Sequence, residues 1–179
     1  MQYTVYRMEK EQLTMADMLK FMRHDFLNEL QLILMHIDLG NPSGAKQTVL
    51  NATEKMNQHS KLSALGMPAL EKWITTFEWV YNAFQTTLVC DIKSGNREVD
   101  DAEIVSYLDQ LFSDVVQKLD PAAEYTTDID VQATSVEWKV VITVNGPMDQ
   151  KIQIPETTGS FLVEETVSHN FWTFTISGQ

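Results

Sequence analysis

Nine consecutive residues, Arg23-His24-Asp25-Phe26-Leu27-Asn28-Glu29-Leu30-Gln31, place a histidine, a carboxylate and an amide within one stretch of amphipathic sequence. Imidazole has an unperturbed pKa near about 6.5, so in neutral water an exposed ring is mostly uncharged and offers a lone pair able to attack phosphorus. With a phosphoryl group as electrophile no strong base would be needed, because such transfer runs largely on positioning and charge neutralisation. Asn28 lies one helical turn beyond His24 and can hydrogen-bond to the ring or to an incoming phosphoryl oxygen, since residues four apart are surface neighbours. Asp25 points about 100° away and is expected to face a neighbouring helix or orient a partner rather than touch the ring. Arg23 either steadies phosphoryl charge or forms a surface ion pair.

A helix must present these groups. Met15, Leu19, Met22, Phe26, Leu30, Ile33 and Ile37 step by threes and fours and fall on one stripe, expected to be the buried seam. His24, Asn28, Gln31 and Met35 form a second stripe on the opposite side, which puts His24 in water. Leu27, Leu34 and Met35 flank it as exposed apolar side chains against which a partner can bury its own. A lone histidine on a helix surface is ordinarily just solvated; the surrounding pattern is what gives His24 a functional reading. His59 falls on a buried stripe and reads as a hydrogen-bonded core or interface histidine, while His36 and His169 read as flank and turn residues. Met15, Met22 and Met56 are expected in the core, and Cys90 is expected as a small core residue of a strand.

The helix carrying the motif should start at Thr14, a cap with Asp17 three positions on, and run to about Leu39. Gly40-Asn41-Pro42-Ser43-Gly44 is a reversal. A second helix follows from about Ala45 to Leu65, with Ala45, Val49, Ala52, Met56 and His59 on its inner stripe. Two such helices make a hairpin that leaves much of both stripes wet. At about 25 cal/mol per Å² of apolar surface, pairing two hairpins into a four-helix bundle is the natural remedy, so a homodimer is expected.

Gly66-Met67-Pro68 opens a new unit, which divides the chain into residues 1–66 and 67–179. Leu70 through Phe84 has helical period, Thr86 to Ile92 reads as a strand, and Asp100-Asp101 precedes a helix ending at Asp120-Pro121. Strands are expected at 127–133, 136–144, 161–167 and 171–176, with a short edge piece at 151–154. Residues 1–13 are a tail or short strand. The fold class is α+β: a helical hairpin plus a small sandwich with helices on one face of a largely antiparallel sheet.

The 179 residues are 44% hydrophobic, enough for a packed core. Residues 1–66 carry seven Lys/Arg and seven Asp/Glu, while residues 67–179 carry six against eighteen, so the whole net charge of -12 sits in the second part. Nothing there attracts polyanions, and nucleic-acid binding is disfavoured for want of a basic patch. No apolar run approaches about 18 residues and no secretory leader pattern opens the chain, so neither a membrane span nor export is expected. The single cysteine fits a reducing compartment, and a cytoplasmic location follows as an expectation.

Arg-His-Asp-aromatic-x-Asn-x-Leu-Gln on the first helix of a hairpin, with Ser60-Lys61-Leu62-Ser63 near the end of the second, resembles the sporulation initiation phosphotransferase B family of endospore-forming bacteria. A related histidine motif occurs in dimeric sensor kinases of the citrate-sensing type. The resemblance implies a dimeric four-helix bundle followed by a domain like a degenerate histidine-kinase ATP-binding domain. It implies that His24 takes a phosphoryl group from the aspartyl phosphate of a single-domain response regulator and passes it to the aspartate of a second, a transcription factor. Arg23, Asp25, Asn28 and Gln31 would surround the carrier, no cofactor would be bound by this chain, and magnesium would come with the regulator.

Two other readings stay open. A kinase phosphorylating itself from ATP requires an asparagine-bearing helix and glycine-rich loops at the triphosphate. Residues 103–118 contain no asparagine, the chain has only seven glycines, and no Asp-x-Gly-x-Gly occurs. The third reading is a non-catalytic adaptor or inhibitor that binds regulators or kinases through the same bundle face.

Overall fold

A computed structural model describes residues 13–93, 97, 99–147, 152, 154–157, 159 and 161–179; the expected N-terminal tail lies almost wholly outside them. The chain forms two compact units, one up to Thr53 and one from Glu54 onward. The division falls inside a helix, ahead of Gly66 where the sequence suggests a boundary, because Gln58 and Leu62 of that helix are buried in the second unit.

In the first unit, α1 spans Met15–Asp38. Its start is fixed by a capping box: the Asp17 amide donates to Thr14 Oγ1 at 3.2 Å while the Thr14 amide donates to Asp17 Oδ2 at 3.1 Å, which satisfies donors the helix cannot satisfy itself. Gly40, at φ 64°, supplies the left-handed residue just past its end. Helix α2 (Pro42–Leu62) begins three residues before the expected Ala45. Pro42 is tolerated in the first turn, and Asn41 Oδ1 accepts from the Gly44 amide at 3.0 Å and the Ser43 hydroxyl at 2.9 Å, so part of the expected loop is a helix cap.

Partial burial along α1 follows Met18, Phe21, Asp25, Glu29, Ile33 and His36, a stripe of threes and fours. The expected seam is rotated away from it. Met15, Leu19, Met22, Phe26, Leu30 and Ile37 are exposed by 41–68%, and only Ile33 of that set is partly buried. On α2, Ala45 is buried and Ala52 partly so, whereas Val49 and Met56 are exposed. Met15, Met22 and Met56, expected in the core, are thus exposed within the single chain. A two-helix unit has one mutual contact line, too little to cover a broad apolar face.

The second unit continues from the end of α2 through a 3-10 turn at Ser63–Leu65 to α3 (Pro68–Val80), β1 (Phe84–Ile92), α4 (Asp101–Lys118), β2 (Tyr125–Ala133), β3 (Trp138–Asn145), β4 (Leu162–Val167) and β5 (Phe171–Gly178). Phe84, expected at the end of a helix, opens β1. The sheet order is β1-β2-β3-β5-β4, with β1 parallel to β2 and every other pair antiparallel. Of the expected edge piece at 151–154, Ile152 and Ile154 are described; they lie outside any strand and pack against the core.

Alternation in β2, β3 and β5 turns Ile129, Val131, Val140, Ile142, Trp172, Phe174 and Ile176 inward, where they meet Ile104, Leu108, Leu111, Phe112 and Val115 of α4. The two helices are tied at two places. Asp101 Oδ2 accepts from the Ala69 and Leu70 amides at 2.7 and 3.3 Å, capping α3 from α4, and Asp109 Oδ1 accepts from Trp73 Nε1 at 2.9 Å and the Tyr81 hydroxyl at 3.0 Å. Burial first, and the Asp109 charge second, push the Tyr81 phenol well above its ordinary value. Gln58 covers part of the β1 edge, its Oε1 accepting from the Cys90 amide at 2.8 Å.

Arg97 fastens three carbonyls at once: those of Leu65, Lys93 (3.2 Å) and Thr134 (2.7 Å) all accept from its guanidinium. It thus links the end of the helical segment to the end of β1 and the β2–β3 turn. Arg97→Ala is expected to destabilise the second unit by about 1–3 kcal/mol, the cost of leaving such acceptors without a donor. Arg97→Lys should recover little, since one ammonium cannot reproduce a planar fork. Urea unfolding of the three proteins decides it, and a lysine variant as stable as the parent would contradict the fork geometry.

Candidate functional site

His24 stands on the outer side of α1 with 71% of its side chain exposed. Its Nδ1 is contacted from two directions: Asn28 Nδ2 lies 3.2 Å away and Asp25 Oδ1 3.4 Å away. Asn28 reaches the ring because helical side chains lean toward the N-terminus, over the preceding turn. The expectation that Asp25 avoids the ring is corrected. Rotamers of adjacent residues can close the 100° between their Cβ directions, and Asp25, 46% exposed at its side chain, does so at the long limit of a hydrogen bond.

Both contacts fall on the same nitrogen. If Nδ1 carries the proton it donates to Asp25, and Asn28 can offer its carbonyl after an amide rotation; the lone pair is then on Nε2, which makes no hydrogen bond among the described residues. The arrangement suits a nucleophile that works through Nε2 while Nδ1 is held.

Arg23, Leu27, Gln31, Leu34 and Met35 are all exposed, so the remaining expected site residues sit on the helix surface around His24. Gln31 and Met35 continue the His24 stripe. Leu27, Leu34 and Met35, exposed by 55, 58 and 46%, provide apolar surface beside it. Lys20, exposed and four residues before His24, also belongs to the stripe. Its spacing alone is the signal, which a motif beginning at Arg23 passes over.

The other candidate nucleophiles are placed differently. His59 is half-buried, and its buried Nδ1 has no hydrogen-bond partner among the described residues. Desolvation first, then the Lys55 charge, lowers its affinity for a proton, with Glu78 opposing. His36 contacts Asn41 Nδ2 through Nδ1 at 3.3 Å, and His169 is exposed in the β4–β5 turn. Cys90 is buried in β1 and its thiol is pushed up to about 11, by desolvation first and the Asp130 charge in addition, while Lys61 opposes; it is a core thiol, not a nucleophile at neutral pH. Among the described residues no group of three or more His, Cys, Asp or Glu could hold a metal ion. No helix among them is long and apolar enough to cross a membrane.

Residues 5–65 match the family model for the sensor kinase SpoOB-type, alpha-helical domain. No curated protein sequence matches the chain. Similar solved structures include the Acinetobacter baumannii histidine kinase AdeS (13% identity, 86% of this chain and 96% of that one, TM-score 0.39). They also include the Erythrobacter litoralis EL346 blue-light activated histidine kinase (13%, 94% and 61%, 0.43) and a bacterial phosphotransferase (12%, 93% and 98%, 0.36).

Proposed function

We propose, from the match of residues 5–65 to the sensor kinase SpoOB-type alpha-helical domain and from the geometry around His24, that this protein is a phosphorelay histidine phosphotransferase of two-component signalling. His24 takes a phosphoryl group from the aspartyl phosphate of one response-regulator receiver domain and gives it to the aspartate of another, in a relay that controls the initiation of sporulation. The observation that carries this reading is the exposed His24 ring, held at Nδ1 by Asn28 and Asp25 and open at Nε2.

In the forward step the Nε2 lone pair attacks phosphorus, the N–P bond forms as the P–O bond to the donor aspartate breaks, and the electron pair leaves with that carboxylate. Asp25 holds the Nδ1 proton and steadies the positive ring. The acceptor aspartate reverses the sequence. Magnesium would be held by the regulator's acidic pocket, not by this chain, and would supply charge neutralisation at the phosphoryl group. Leu27, Leu34 and Met35 give the regulator an apolar footing, and Arg23 and Gln31 border it.

The exposed face formed by Leu19, Met22, Phe26 and Leu30 supports a second assignment, a homodimer in which two hairpins close a four-helix bundle. Analytical ultracentrifugation is expected to give the mass of two chains, and Phe26→Asp with Leu30→Asp the mass of one. A monomeric parent protein would remove this assignment.

The deciding assay is incubation with a regulator carrying radiolabelled aspartyl phosphate. Acid-labile, base-stable label should appear on this chain, and label should not appear from ATP alone, in keeping with an α4 that carries no asparagine. Binding of the regulator without label would favour the adaptor reading, and labelling from ATP the kinase reading.

A further inference from the structure

On the relay reading above, the phosphorylated state of His24 is dianionic at an exposed position, and the histidine stripe offers a second group to meet it. Lys20 precedes His24 by four residues, so their Cβ atoms are neighbours about 6 Å apart on the same face. The ring leans over the turn that carries Lys20, because helical Cα–Cβ bonds tilt toward the N-terminus. Asn28 grips Nδ1 from the C-terminal side at 3.2 Å, which leaves Nε2 on the ring edge away from Asn28.

Lys20 is exposed, makes no close ion pair among the described residues and meets Asp17 only through a longer-range attraction. Asp17, the acid within electrostatic reach, accepts from the Thr14 amide at 3.1 Å in the capping box. Arg23, the other cation within one turn, lies about 100° round the helix from the stripe. The two cations thus divide the space around His24: one along the stripe, one on the side of Leu27.

We propose that the Lys20 ammonium binds the phosphoryl oxygens on Nε2 of His24, stabilising the phosphohistidine and the transition states that form and discharge it. The N–P bond forms and breaks as in the relay step; Lys20 exchanges no proton and supplies charge only, with three donors on a flexible stem.

The full-length protein, Lys20→Gln and Lys20→Arg are to be labelled by the same phosphorylated regulator, with initial rate, plateau labelling and the lifetime of isolated phosphohistidine recorded. Lys20→Gln is expected to lose about three- to tenfold in rate and plateau, the range of an exposed charge-assisted contact, and to shorten the lifetime. Lys20→Arg should restore all three, and circular dichroism melting should be unchanged in both variants. Parent-like rate, plateau and lifetime in Lys20→Gln would overturn the assignment while leaving the relay intact. An unlabelled parent protein would overturn both.

Discussion

His24→Ala is expected to abolish acquisition of label from a phosphorylated regulator, while His59→Ala and His36→Ala keep it. The substitution removes the only imidazole in the described part of the chain that is both exposed and held at one nitrogen by neighbours on its own helix. Alanine is the best helix former and the site is solvent-facing, so stability should change by less than about 0.5 kcal/mol. Loss of label with an unchanged melting curve would then be chemical. His59→Ala is the demanding control, because His59 is half-buried and its removal disturbs packing within the second unit. Should His24→Ala still acquire acid-labile label, the carrier is another residue and the relay assignment for His24 fails.

Phe112→Ala is expected to cost the second unit about 3–5 kcal/mol, the range for truncating a buried aromatic. Its ring is fully buried and lies 4.9 Å from Phe77, 5.4 Å from Tyr81, 5.6 Å from Trp73 and 5.7 Å from Phe174, centroid to centroid. These belong to α3, its C-cap and β5, so one side chain joins both helices to the sheet. Phe112→Leu should recover more than half of the loss, since most of the volume returns without the edge-to-face contact with Phe77. The check is the urea midpoint monitored by tryptophan fluorescence, as Trp73, Trp138 and Trp172 are all buried in this unit. A midpoint unmoved by Phe112→Ala would mean that the aromatic cluster is not what stabilises the sandwich.

Much of this was legible because it is local. Thr14 with Asp17, the three-four stepping of α1, and Asp100 before α4 are cap and period signals that need no tertiary contact, and the observed elements begin where those signals lie. Asn28 beside His24 follows from helical spacing in the same way. Local signals misled where two were compatible with one sequence. Pro42 within a run of turn residues suggested loop, yet Asn41 caps a helix that starts at Pro42. Phe84 continues the period of α3, yet pairs with Tyr125 as the first residue of β1.

The sequence by itself determined which residues share a face: the His24 stripe, the apolar face opposite, and the inward alternation of β2, β3 and β5. Only the tertiary structure decided what covers each face, because periodicity fixes direction around an element but not its neighbour. It left the apolar side of α1 open and buried Gln58 against the β1 edge. It joined Leu65, Lys93 and Thr134 through one guanidinium. The Asp25 carboxylate beside the His24 ring belongs to neither class: it is a local contact between adjacent residues, set by rotamers that no spacing rule encodes.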